Sequence, residues 1–388
     1  MRVVLVKGRS QYGSLRLHVD QLAAALTGLG HEAPVVDLAA GESLMPLIEA
    51  LSSPTDCLFA FNGVACEFAA QDFVRELGCA YASLYVDHPV HHLPRLDHAI
   101  NRQVVFFLDR SHVQFVANWA AGRSFAHLGF LPPGANALDT PVDVSDAAFA
   151  ARDIPLLFTG TYRGAPPRAW ETWPESPART LVGETAERMA ADGRLALLDA
   201  LRATLAARNL RLSPDLVASL APLLSSAQSC AEAYHRGAVL TALGEAGVPM
   251  EVHGKGWGPL SARYPSIRYV GEGSFEETLG LARRARVILN INNGFVAGGH
   301  ERVFAAMAAG AAVFSESSRY YDGAFKDGRE IATFAINRPT EAAAKLKALM
   351  ADLPAQAALA RAGHRRALAD HSWADRAAVL VKAVQSAR

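Results

Sequence analysis

The chain has 388 residues, 51% hydrophobic and 20% charged, a balance that supports folded cores, excludes a mostly disordered chain and, at this length, predicts two domains. Lysine plus arginine and aspartate plus glutamate number 38 each, which argues against a surface built for sequence-independent contacts to nucleic-acid phosphates. Cys57, Cys66, Cys79 and Cys230 are widely spaced with no C-x-x-C pair, so they read as buried thiols rather than a zinc knuckle or a disulfide framework.

The opening MRVVLVKGRS is too short an apolar run for a signal-peptide core, and no later run approaches the ~18 apolar residues of a membrane span, so a cytoplasmic protein is expected. Val3 to Val6 predicts a strand, Lys7-Gly8-Arg9-Ser10 a loop, and Leu15 to Leu29 a helix with its leucines and valine at helical spacing. Gly30-His31 ends that helix and Ala33 to Leu38 resumes as a strand, completing a βαβ unit. Cys57 to Phe61, Ala80 to Val86 and Val104 to Leu108 are further buried strands, which makes a parallel sheet flanked by helices the expected first domain. At the end of one of them, YVDHPVHH (85–92) gathers Asp87, His88 and His91 where ligands collect in open α/β sheets. Carboxylate and imidazole suit a general base, acceptor-side lining and structural histidines remain open, and Pro89 and Pro94 argue against a helix presenting His88 and His92 to a metal. Asp109 reads as a helix cap.

After Asp153, IPLLFTGTY starts a second strand-and-glycine-loop series. Prolines around Trp170 and Trp173, then leucines at helical spacing, mark residues 164–234 as a helical insertion, read as a packed subdomain or as a surface for an acceptor, partner or membrane. The series resumes with a helix at 236–244, strands at 250–254, 267–270 and 287–291, and a helix at 275–282 between the last two. GGHERVFAAMAAGAAVF (298–314) follows: two glycines, a charged pair, an alanine-rich helix, Gly310 and a strand. A helix beginning near Glu301 leaves its first N–H groups unpaired, Gly298-Gly299 offers close approach, and His300 or Arg302 adds charge, so the pattern reads either as an anion site or as an ordinary structural turn. The expected architecture is α/β with domains at 1–150 and 151–370 and a C-terminal helix, 371–388, returning to the first.

The segment 298–334 closely resembles the nucleotide-sugar-binding segment of bacterial GT-B glycosyltransferases, nearest the group related to spore-maturation glycosyltransferases. LLFTGTYR (156–163), EVHGKGWG (251–258), YVGEGSFEE (269–277) and HSW (371–373) fall in the order of that family, and the resemblance covers nearly the whole chain apart from about 164–234. It implies two Rossmann-like doubly wound domains facing a cleft, and metal-independent transfer from a nucleoside diphosphate sugar to a hydroxyl acceptor, with no cofactor. It implies donor binding by Gly160, Arg163, Lys255, Gly256, Trp257, Tyr269, Val270, Gly298, Gly299, His300, Glu301 and Arg302, and an acceptor side formed by Lys7, Gly8, Arg9, Ser10 and His91. If the reaction inverts, Asp87 or His88 is the base; if it retains, the leaving phosphate takes the proton. One position departs from the family: the Glu expected to hold the ribose is Ala305, with Glu301 one turn earlier either substituting for it or only stabilising the helix start. An epimerase of the same architecture and a non-catalytic sugar-nucleotide or protein-binding module are the alternative readings; the acceptor and any oligomer are left open.

Overall fold

The computed structural model describes residues 1–38, 43–136, 140–292 and 294–387. The chain forms two compact units, Met1–Ala137 with Asp370–Arg388, and Leu138–Ala369.

In the first unit, β1 (Val3–Lys7), β2 (Val35–Asp37), β3 (Cys57–Phe61), β4 (Ala80–Tyr85), β5 (Gln103–Phe107) and β6 (His127–Phe130) form a parallel sheet in the order β2-β1-β3-β4-β5-β6. Every residue of β3, β4 and β5 is buried, as strands covered by helices on both faces require. The order reverses between β1 and β3, which places the βα loops after those strands at the switch point where open sheets bind ligands. The C-terminal helix Trp373–Ser386 packs here: Trp373 meets Phe61 and His18, and the Ala135 N–H donates to the His371 carbonyl at 2.6 Å.

The second unit holds β7 (Ile154–Thr159), β8 (Met250–His253), β9 (Ile267–Gly271), β10 (Ala285–Asn290), β11 (Ala312–Glu316) and β12 (Ala332–Phe334), all parallel, in the order β12-β11-β10-β7-β8-β9. Its switch point lies between β7 and β10. Residues 146–150, expected in the first domain, belong here: Asp146 pairs with Arg361 at 2.7 Å and Phe149 enters this core. The insertion does not end at 234. It comprises helices Pro177–Ala191 and Leu197–Ala206 and one 32-residue helix, Pro214–Glu245, which absorbs the separate helix expected at 236–244. Ser213 caps that helix, and its buried stripe runs unbroken from Val217 and Leu224 through Ala231 to Leu240 and Leu243. Trp170 is buried beside Gly183 of the first insertion helix, so it packs the subdomain. Among the described residues, no helix is long and apolar enough to cross a membrane.

Candidate functional site

The helix Glu301–Ala308 starts where 298–314 predicts it, but its first amides are not open. The Arg302 N–H donates to His300 Nδ1 at 3.1 Å, the Val303 N–H to the His300 carbonyl at 3.1 Å, and the His300 N–H to the Tyr321 hydroxyl at 2.9 Å. Gly299 answers to packing instead of ligand approach: a Cβ there would press on Tyr321, Phe304 and Tyr320. Ser318 Oγ donates to the Gly298 carbonyl at 2.7 Å, so the loop after β11 clamps the turn from the other side. Glu301 lies 3.3 Å from His300 Nδ1, and Ala305 is buried in the helix.

The charge at this end of the sheet comes from side chains that the sequence keeps far apart. Arg302 donates to Asn290 Oδ1 at 2.6 Å and lies over the Phe158 ring, with its guanidinium against Gly160. Arg236, from the long insertion helix, donates to the carbonyls of Thr161 at 2.9 Å and Ile291 at 3.1 Å. It therefore ties the loop after β7 to the loop after β10, across the switch point. Burial lowers Arg302 and brings Arg236 down to about 10, the nearby Arg302 charge adding to the effect on Arg236. Both remain cationic at neutral pH. Near them, at the end of β11, Glu316 is buried, accepting from the Asn292 N–H at 2.8 Å and from Asn290 Nδ2 at 3.3 Å. Burial pushes its carboxyl up to about 7, against the pull of the Asn292 amide and the two arginines. Arg163 extends toward solvent and pairs at 3.3 Å with Glu232, one helical turn before Arg236. Asn290, Arg236, Glu232 and Glu316 are absent from the sequence-based site. The available signal was a polar or charged residue ending a buried parallel strand, which Asn290 and Glu316 both are.

Two expected donor contacts are placed differently. Trp257 is fully buried in the second core, its Nε1–H donating to the Gly160 carbonyl at 2.8 Å, so it braces the loop after β7 and presents no face to a ligand. Gly256 and Gly254 adopt φ of 83° and 129°, and a Cβ on either would overlap the carbonyl oxygen of Tyr162 or Gly160, because the loops after β7 and β8 cross in backbone contact. Lys255 is exposed and 3.7 Å from Glu272. Tyr269 and Val270 are exposed on β9, the edge strand.

In the first unit, Asp87 follows β4 with 57% of its side chain exposed, 3.5 Å from His92 Nε2 and accepting from Asn62 Nδ2 at 3.2 Å. The surrounding protein pushes its carboxyl up, but the contacts from His92 and Asn62 outweigh this and hold it below the usual value. Asn62 has φ 50°, a left-handed conformation fixed because its side-chain oxygen accepts from the Val86 N–H at 2.8 Å and Arg95 binds its carbonyl at 2.7 Å. His88 differs from the expectation of a base. It is buried between His112 and Phe115, its Nδ1 accepts from the Val90 N–H at 3.2 Å, and burial keeps it well below its ordinary pKa, so it is a neutral packing residue. His91 is exposed nearby. Lys7 is taken by Asp20 at 2.6 Å, Gly8 packs against Val64, Ser10 Oγ accepts from the Leu15 N–H at 3.4 Å, and Arg9 is exposed. Asp109 caps its helix, donated to by the Ser111 N–H at 2.6 Å.

Residues 236–382 match the family model described as glycosyl transferase-like. The whole fold is similar to sucrose-phosphate synthase from Thermosynechococcus elongatus, at 13% identity and TM-score 0.59 over 98% of each chain. It is also similar to AviGT4, a glycosyltransferase involved in avilamycin A biosynthesis, at 16% identity and TM-score 0.51 over 99% of this chain and 97% of that one. Anabaena HepE in complex with UDP-glucose aligns at 11% identity and TM-score 0.57 over 100% of both chains. No curated protein sequence matches the chain. Two six-stranded parallel sheets, each flanked by helices, give the GT-B architecture of two Rossmann-like domains. The chain thus has the GT-B fold, with a glycosyl transferase-like family match over residues 236–382.

Proposed function

We propose that the protein transfers a sugar from a nucleoside diphosphate sugar to a hydroxyl acceptor, with the diphosphate held by Arg302 and Arg236 at the β7/β10 switch point. The observation that carries this reading is two neighbouring guanidinium groups there that hydrogen-bond carbonyls and an amide and make no direct ion pair among the described residues. The Arg302 charge lies close enough to lower Arg236, and the buried Glu316 carboxyl near both is itself held up to about 7. Glu232 near Arg236 and Glu301 near Arg302 offset part of this charge, and a bound diphosphate would supply the rest. As the glycosidic bond breaks, negative charge grows on the diphosphate, and fixed cations stabilise it in the transition state without a metal ion. Arg163 and Lys255, exposed on neighbouring loops, supply further contacts, with Tyr269 and Val270 beside the base. On the first unit, Asp87 is the group suited to take the acceptor proton in an inverting reaction. A cytoplasmic enzyme acting without a cofactor accords with this chemistry.

HepE binds UDP-glucose, which makes UDP-glucose the first donor to try. Incubation of the protein with UDP-glucose and, in parallel, the GDP, dTDP, CMP and ADP sugars should release the free nucleotide slowly from one of them. It should also raise the melting temperature with that nucleotide. If no nucleotide sugar binds, the anion site is not a donor site; binding without turnover would favour a sugar-nucleotide-binding module.

A further inference from the structure

A second group of chemistry-bearing side chains lies beneath the turn after β3. Cys66 opens the short helix Cys66–Ala69, Glu67 follows it, and His98 lies just beyond helix Leu93–Leu96. One ligand atom from each, the Cys66 Sγ, a Glu67 carboxylate oxygen and a His98 ring nitrogen, lie within 4.8 Å of one another. We propose that Cys66, Glu67 and His98 form a three-ligand site for Zn²⁺, its fourth position open to water, that staples the turn after β3 to the segment following β4.

The donor set is what zinc selects: one soft thiolate, one imidazole and one carboxylate. Thiolate and carboxylate together cancel the charge of the dication and imidazole adds none, so the loaded site is neutral beside an apolar core. Metal–ligand bonds of about 2.0–2.3 Å place tetrahedral ligand atoms roughly 3.5 Å apart, so no pair needs to close by more than about one ångström around an ion. The freedom to do so lies with the right partners. Cys66 is fixed, buried among Val74, Tyr81 and Phe68, whereas Glu67 is exposed and His98 partly so. The fourth position faces the solvent side and takes water. Forming the metal–sulfur bond displaces the thiol proton of Cys66 to solvent. The same two segments meet at the Asn62 turn, where Arg95 binds the Asn62 carbonyl, so an ion here would fix the loop that holds Asp87.

The test is titration of the metal-free full-length protein with Co²⁺, followed by absorbance. A thiolate-to-cobalt charge-transfer band saturating at one ion per chain, and bleached by one equivalent of Zn²⁺, is expected. Cys66→Ser should abolish it, and His98→Gln and Glu67→Gln should each weaken Co²⁺ binding at least about tenfold. The last two side chains reach solvent, so those variants decide the matter if Cys66→Ser fails to fold. Absence of the band in the unmodified protein overturns the proposal, as does a band that survives in folded Cys66→Ser or an affinity unchanged in both surface variants.

Discussion

Replacing Glu316 with glutamine should change the pH dependence of stability in a calculable way. Glu316 ionises at about 4.5 in the unfolded chain and about 7 in the folded one, because burial disfavours its charge more than Asn292 and the two arginines favour it. The folded state therefore holds a proton that the unfolded state has lost between these values, so stability falls as pH rises through the window. A shift of this size corresponds to about 3 kcal/mol in full, most of it lost between about pH 5 and pH 8.5.

Glu316→Gln removes that proton equilibrium. It also sets the new amide against Asn290 Nδ2 or the Asn292 N–H, two donors already pointing at the carboxylate. That mismatch costs on the order of 1–3 kcal/mol but is independent of pH, so the informative quantity is the change in the difference between the two proteins. Urea unfolding of both at several values between about pH 5 and pH 8.5 should show the variant gaining on the unmodified protein by roughly 2–3 kcal/mol across the range. A difference that stays constant with pH would mean that Glu316 ionises normally in the fold. The charge imbalance argued for the arginine pair would then be wrong.

Arg302→Gln removes one of the two cations and its contact with Asn290, and should weaken binding of the donor nucleotide about 10- to 100-fold, read by calorimetry with stability as the control. Asp87→Asn keeps the shape and the neighbourhood of Asn62; in an inverting enzyme it should lower kcat by roughly 10²–10⁴ with donor KM unchanged, and an unaltered kcat would remove Asp87 as the base. Gly256→Ala forces a left-handed backbone on alanine and drives its Cβ into the Tyr162 carbonyl, so a loss of about 2–4 kcal/mol is expected by denaturant unfolding.

What could be read in the sequence follows the physics of each element. Strands such as Cys57–Phe61 and Ala80–Tyr85 are buried on both faces, so they appear as short apolar runs bounded by polar turns, and their alternation with helices announces a parallel sheet. The short edge strands His127–Phe130 and Ala332–Phe334 leave no such mark. Arg302 was legible because it sits beside a helix start, whereas its partners were not. Asn290 and Glu316 meet only because β10 and β11 pair in the register Asn290↔Ser315, and Arg236 arrives from a helix that the sequence divides in two. Trp257 misled for the opposite reason: a tryptophan in a glycine-rich loop looks available to a ligand, but those glycines let two backbones cross and bury the ring between Phe158 and Tyr162.

The two switch points also differ in charge, which under the proposed function suits them to different substrates. At the first, between β1 and β3, Lys7 is neutralised by Asp20, and Arg16 by Asp37 at 2.5 Å. Beside the exposed Arg9, what is offered there is the Asp87 carboxylate and the Asn62 amide, groups suited to a neutral hydroxyl. At the second, between β7 and β10, Arg236 spends its hydrogen bonds on backbone carbonyls and Arg302 on an amide, so neither positive charge is cancelled by a direct ion pair among the described residues. The same α/β plan thus carries opposite electrostatics in its two copies. An enzyme that joins an anionic donor to a neutral acceptor needs this asymmetry, since a diphosphate drawn equally to both units would compete with the acceptor for its own site.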